Sequence, residues 1–209
     1  HKEMATWTVD QVQDFLDAAK DSHYGPIWAV FLYTGGRRGE TLGLRWKDVD
    51  FDRGTILIQQ TLGVVHGIRF LKDIPKNRKS NRTIPVDPTV MDALKVHKAR
   101  QNEQRLQSLD WEDNGLVFCT YQGRPINPRH LQRDFDKWVV AARVPEIRIH
   151  DLRHTHASVG IQEGADIKAM SERLGHAKTS TTWDIYQHVS AQQHQDVSDK
   201  IGAAFARRR

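Results

Sequence analysis

Residues 27–33 read Ile-Trp-Ala-Val-Phe-Leu-Tyr, and no other segment narrows the possible folds so far. A run that is apolar on every face reads as a buried helix, not as a surface helix with one wet side. It is too short to cross a membrane, which takes ~20 apolar residues. Gly35 and Gly36 stop it, since glycine takes the left-handed conformation that closes a helix. The chain must therefore wrap other elements around this segment. The preceding stretch can supply one of them. Thr8 followed by Gln11 has the form of a capping box, and Val9, Val12, Phe15, Leu16 and Ala19 fall on one helical face. A short helix should follow the glycines, over about residues 38–46.

Beyond it the pattern changes. Asp52-Arg53-Gly54 signals a turn, and residues 55–61 are β-branched and aliphatic. Gly63 and Gly67 punctuate a second extended segment, and residues 82–86 make a third. The expectation is three short antiparallel strands. Asp87-Pro88 then opens a long helix with proline at its first position, its polar later part (99–107) facing solvent. A short extended piece covers 116–118. Asn127-Pro128 starts another helix, with Leu131, Phe135, Trp138 and Val139 as its buried stripe. Further helices are expected at about 151–163, 166–174, 180–186 and 191–205. The fold class read from this order is α+β and mostly helical, with a small antiparallel three-stranded sheet on one flank.

Composition excludes several classes. Hydrophobic residues make up 38% of the 209, enough for a packed core. No secretory leader opens the sequence, and no segment suits a membrane partner. The single cysteine, Cys119, leaves no internal disulfide and no cysteine-based zinc site. A bacterial-type cytoplasm is the expected compartment. The net charge of +5 favours a polyanionic partner, and its distribution says more. Arg69, Lys72, Lys76, Arg78, Lys79 and Arg82 crowd one stretch whose only acid is Asp73. Such a run is either a solvated face or a set of phosphate contacts along a duplex.

Three segments carry candidate chemistry. In His150-Asp151-Leu152-Arg153 the histidine and arginine share one face of a helical turn. Arginine grips a phosphate through two hydrogen bonds, and histidine moves a proton near neutral pH. Alone, the pair reads as a surface pair or a satisfied core histidine sooner than as a phosphate site. His150 and His154 have the spacing of a helical zinc site, but aspartate stands where the usual glutamate would, and satisfied or solvated histidines fit His154 and His156 better. No metal is expected. Thr34-Gly35-Gly36-Arg37-Arg38-Gly39-Glu40 has glycines that let backbone approach a ligand, yet lacks the Gly-Lys-Ser/Thr ending of a nucleotide loop. On its own it is a helix cap and a polar turn. Residues 174–189 place Leu174-Gly175-His176 on a turn, Ser180-Thr181-Thr182 as a cap, and Tyr186 at the end of the next helix.

Taken in chain order, these segments resemble the tyrosine recombinase family of phage and transposon integrases, over about residues 6–190. That family has an arginine after Thr-Gly-x, a lysine on a β-hairpin, His-x-x-Arg, Leu-Gly-His and a terminal tyrosine. Here the matching residues are Arg37, with Glu40 at the accompanying acidic position, Lys76, His150 with Arg153, His176, and Tyr186. Gly36 replaces a bulkier residue and Asn77 a common threonine; Gly36 is expected to loosen the turn holding Arg37.

The resemblance implies a catalytic domain that cuts and rejoins DNA through a 3′-phosphotyrosine, without cofactor. Tyr186 would be the nucleophile, Arg37 and Arg153 the phosphate clamp, and Lys76 the acid for the departing 5′ oxygen. His150 would serve proton transfer, and His176 would bond the phosphate. Arg69, Lys72, Arg78, Lys79 and Arg82 would be DNA-backbone contacts. Partners would be double-stranded attachment sites and other protomers in a synapse, tetrameric on DNA, in a bacterial or phage-encoded, nucleoid-associated system. The resemblance also implies one catalytic domain over 1–209, with 1–5 a linker remnant, 190–209 a C-terminal helix and tail, and the full-length enzyme's N-terminal DNA-binding domain absent. Competing readings are a non-catalytic DNA-binding protein of the same fold, a type IB topoisomerase, which would relax circles without exchanging strands, and a plain nuclease, which would leave no covalent adduct.

Overall fold

The computed structural model describes residues 5–74 and 81–175. Seven α-helices lie within them: α1 (Val9–Ala19), α2 (Gly25–Thr34), α3 (Arg38–Leu42), α4 (Pro88–Gln107), α5 (Pro128–Ala142), α6 (Asp151–Gln162) and α7 (Ile167–Leu174). A single 3-10 turn spans Trp46–Asp48, and the strands are β1 (Val49–Asp50), β2 (Thr55–Ile58), β3 (Gln60–Val65), β4 (Ile68–Asp73) and β5 (Arg82–Pro85). The helices expected at 180–186 and 191–205 lie outside the described residues.

The apolar run is the middle of α2, and α2 packs against α1, α3, α4 and α6. Ile27, Trp28, Val30 and Phe31 are essentially inaccessible to solvent. Around them the aromatic rings interlock. Phe135 of α5 lies 5.3 Å from Trp28, 5.4 Å from Phe15 and 5.9 Å from Trp7, centroid to centroid. The helix ends follow the chemistry of their residues. Thr8 and Gln11 make the reciprocal capping box of α1, Asp87 caps α4 ahead of Pro88, and Asn127 caps α5 ahead of Pro128.

The β region holds an antiparallel three-stranded sheet, as expected, but the run 55–61 and the segment after it are divided differently. The run 55–61 breaks at Gln59, whose side-chain amide donates to Asp48 Oδ1 at 2.6 Å. Residues before the break join a three-stranded antiparallel sheet in the order β1-β2-β5, with Ile56 opposite both Val49 and Ile84. Residues after it form a separate two-stranded ribbon, β3-β4. His66 and Gly67 both have positive φ, 49° and 81°, as a two-residue hairpin turn of the strand-matching hand requires. In α4 most of the polar end faces solvent, but Gln101 does not. Its amide reaches the Val117 carbonyl at 2.9 Å and its oxygen accepts from Trp46 Nε1 at 2.6 Å, tying the helix to the extended piece at 116–118.

The ring cluster sets a stability test. Phe135→Ala should cost about 3–5 kcal/mol in urea unfolding, because it empties the meeting point of three other rings. Val140→Ala on the same helix, where the side chain is exposed, should stay within about 0.5 kcal/mol of the parent.

Candidate active site

The site forms where two glycine-capped helix ends meet. Gly35 closes α2 at φ 63° and Gly175 closes α7 at φ 67°, both left-handed. A side chain on Gly35 would also collide with His156 and Leu174, at 2.6 Å from each. Helix ends leave carbonyls without intrahelical partners and carry partial negative charge. Arginines from three other elements fill that need.

Arg153, on the first turn of α6, is almost wholly buried. Its Nη1 donates to the Gly35 carbonyl and its Nη2 to the Leu174 carbonyl, each at 2.7 Å. Arg37 is the residue before α3. Its Nη2 donates to the Gly175 carbonyl at 3.0 Å and its Nη1 to Glu40 Oε1 at 2.8 Å. Its side chain remains 38% exposed, so the guanidinium keeps an open edge. Burial, then the charge of Arg37, pushes the Arg153 pKa down to about 9, and the group stays cationic at neutral pH.

Glu40 is the counter-charge, with 4% of its side chain exposed. It accepts from the Arg37 backbone N–H at 3.0 Å and from Arg82 Nη2 at 2.9 Å. Burial by itself would raise this carboxyl; bonds and charge from Arg82, then the Arg37 bonds, outweigh it and hold the pKa below the ordinary 4.5. Arg82 was expected among the outward DNA contacts. Its side chain is 7% exposed instead, engaged with Glu40 and, through Nε, with the Arg173 carbonyl at 2.6 Å. The correction has a plain cause. Arg82 begins β5, whose pairing with β2 brings it beside α3 and α7, where the buried carboxylate attracts it.

His150 precedes α6 and is exposed at the mouth of the cluster. Loss of water around its inner edge, then the Arg153 charge, lowers its pKa below 6.5, so the ring is neutral at pH 7 and able to accept a proton. His154 lies edge-on to it, ring centroids 5.1 Å apart. Asp151 between them is bound by Arg148 at 2.7 Å and fixes the start of α6. Arg69 and Lys72 are exposed on β4, in the ribbon whose β3 strand packs against α3. The turn through Gly36 is held by Thr34: its Oγ1 donates to the Val30 carbonyl at 2.6 Å and accepts from the Gly36 N–H at 3.1 Å. Lys76, Arg78, Lys79, His176 and Tyr186 lie outside the described residues.

The residue patterns alone missed Arg173 and the inward role of Arg82. Arg173 lies in the last turn of α7, where a basic residue is ordinary dipole complementation, so its spacing carried no special signal.

The architecture matches solved structures of recombinases. A Tn1549 transposon integrase in complex with circular intermediate DNA superposes at a TM-score of 0.78 with 20% identity, over 96% of this chain and 68% of that one. The catalytic domain of bacteriophage HP1 integrase superposes at 0.57 with 20% identity, over 94% of this chain and 95% of that one. The fold is thus that of tyrosine recombinase catalytic domains. The sequence also matches the model of the phage integrase family over residues 6–193, and the chain belongs to that family. Its relatives include a "Tyrosine recombinase XerC-like" protein of Caldanaerobacter subterraneus, 30% identical over 97% of this chain and 55% of the relative. The ICEBs1 integrase of Bacillus subtilis is 26% identical over 96% of this chain and 55% of the relative. The chain therefore spans little more than half the length of these proteins.

Glu40 predicts a pH dependence. A lowered carboxyl pKa stabilises the fold fully above 4.5, and that contribution is lost as pH falls through the lower folded value. Glu40→Gln should lower stability at pH 7 by about 3 kcal/mol, since it leaves buried guanidiniums without a counter-charge. The gap should narrow as pH falls below 4.5. Melting of both proteins between pH 3 and 7 measures it; a constant gap would show that the carboxylate charge is not what holds the cluster.

Proposed function

We propose that this chain is the catalytic domain of a site-specific DNA recombinase that cuts and rejoins duplex DNA through a 3′-phosphotyrosine. One observation carries the proposal. Arg37 and Arg153, from distant parts of the sequence, are oriented by the adjacent carbonyls of Gly175 and Leu174, and with Arg82 they outnumber the one carboxylate, Glu40, that faces them. Two guanidiniums fixed in this way suit the non-bridging oxygens of a phosphodiester, and their hold strengthens as the transition state gains charge.

In this scheme Tyr186 attacks the scissile phosphorus, and the P–O bond to the 5′ oxygen breaks. Lys76 gives a proton to that oxygen, while neutral His150 takes the tyrosine proton. His176 bonds the phosphate. The phosphotyrosine conserves the energy of the broken bond, so rejoining needs neither nucleotide nor metal. Lys72, Arg69, Arg78 and Lys79 contact the DNA backbone, and Arg82 acts within the protein. The partners are double-stranded attachment sites and further protomers, arranged as a tetramer that cuts strands in pairs. Residues 191–209 couple those protomers, and a further DNA-binding domain completes a clamp in the full-length enzyme. A bacterial or phage-encoded protein working on nucleoid DNA fits this chemistry. No helix among the described residues is long and apolar enough to cross a membrane.

A library of randomised duplexes, each nicked so that cleavage is trapped, tests the reaction. Wild-type protein should retain some duplexes covalently through denaturation, in EDTA as well as in magnesium. Tyr186→Phe should reduce that retention to background while its affinity for the enriched duplex stays within about threefold, less than 1 kcal/mol. Adduct formation by the phenylalanine variant, or a strict need for magnesium, would remove the proposed mechanism. Lys76→Ala should slow cleavage, and a 5′-bridging sulfur should restore it, since a thiolate leaves without a proton. A slowed variant that sulfur does not rescue would assign Lys76 another role.

A further inference from the structure

His156 and Arg173 are partly buried ionisable groups outside the proposed chemistry, and they form one assembly. Arg173 Nη2 donates to the Tyr33 carbonyl at 2.7 Å and its Nε to His156 Nε2 at 3.2 Å. His156 Nδ1 faces the Leu32 carbonyl at 2.8 Å. A carbonyl can only accept, so Nδ1 carries the proton and Nε2 offers the lone pair that Arg173 needs. Only the neutral ring with this tautomer satisfies both bonds. Burial, then the Arg173 charge, lowers the His156 pKa to about 4, and Arg153 on the same helix acts in the same direction.

This assembly ties α7 to the end of α2. The tie is needed because α7 buries little. Met170 and Leu174 form a small cluster with Ala157 and Ile161 of α6, separate from the main core. Yet the last carbonyls of α7 carry the arginines. Those of Arg173, Leu174 and Gly175 accept from Arg82 Nε at 2.6 Å, Arg153 Nη2 at 2.7 Å and Arg37 Nη2 at 3.0 Å. Three consecutive carbonyls thus orient three guanidiniums. Gly175 suits this, because its φ of 67° is one that side chains rarely adopt and a Cβ there would stand 3.0–3.2 Å from Arg82.

We propose that Arg173, seated on neutral His156, is a positioning residue that pins the end of α7 so that its carbonyls hold Arg82, Arg153 and Arg37 in register for a phosphate. The proposal rests on the recombinase reading for its consequence, but its geometry can be measured without activity.

The test uses the whole chain, the duplex enriched from the nicked library, and two variants. Arg173→Met keeps the aliphatic stem and removes the bonds; Arg173→Lys keeps the charge and can restore one bond. Single-turnover cleavage at saturating duplex should fall about 10- to 100-fold in Arg173→Met, as for a small misplacement of catalytic groups, with duplex affinity within about threefold. Arg173→Lys should recover part of the rate. Nitrogen-15 spectra read the geometry directly. In wild type the Arg82 Nε–H should be slow to exchange, and in Arg173→Met it should exchange freely while His156 titrates nearer its ordinary value. Wild-type cleavage by Arg173→Met would overturn the proposal. So would a rate loss that only tracks lost melting temperature while the Arg82 signal persists. If wild-type protein formed no adduct, the recombinase reading would fail. The two spectral readouts would then decide the positioning alone: an unchanged Arg82 signal in Arg173→Met refutes it, and a lost one upholds it.

Discussion

Burying a carboxylate costs several kcal/mol before any partner is counted, and Glu40 is buried. It is stable there because a backbone N–H and two guanidiniums meet it, from the start of α3 and from β5. Leu42 of α3 and Ile84 of β5 anchor the two elements in the main core, and the carboxylate joins their polar ends. A buried ion cluster of this kind rarely adds net stability over a well-packed apolar one. Its effect lies in placement: Arg37 is bonded on one side by Glu40 and on the other by Gly175, so its guanidinium has one favourable orientation.

The carbonyl ends of α2 and α7 do a different job from the carboxylate. A carboxylate neutralises an arginine as it orients it; a carbonyl only orients it. Gly35, Leu174 and Gly175 receive bonds from Arg153 and Arg37, while Leu32 and Tyr33 receive them from His156 and Arg173. Arg37 and Arg82 bond the Glu40 carboxylate, Arg153 feels its charge, and Arg173 lies beyond Arg82, with the partial negative charge of two helix ends moderating their repulsion. The surplus positive charge is what a phosphate diester would meet, and the exposed edge of Arg37 is where it would arrive first.

The apolar helix makes this geometry rigid. Because α2 is enclosed by four other helices, its last turn cannot shift without opening the core. Bonds from α6 and α7 to that turn borrow the rigidity of the core for a region that packs little of its own. The Arg173–His156 pair is an instance: His156 from α6 and Arg173 from α7 each bond a carbonyl of α2 and bond each other.

Much of this was legible along the chain. The apolar run at 27–33 read as a buried helix, because it is apolar on every face and two glycines stop it. Thr8, Asp87 and Asn127 announced helix starts through local bonds that depend only on residues a few positions away. The motifs around Arg37, Glu40, His150 and Arg153 pointed to a phosphate site only as an ordered set, since each alone also reads as ordinary structure. Other features have no local signature. The break at Gln59 is set by Asp48, the inward turn of Gln101 by Trp46 and the Val117 carbonyl, and the burial of Arg82 by a carboxylate that strand pairing brings to it. Arg82 looked like one more member of a basic run because its charge is visible in sequence and its partner is not. The sequence by itself determined which groups could bind and move charge. Only the tertiary structure decided which of them face outward, because that choice rests on bonds between residues far apart in the chain.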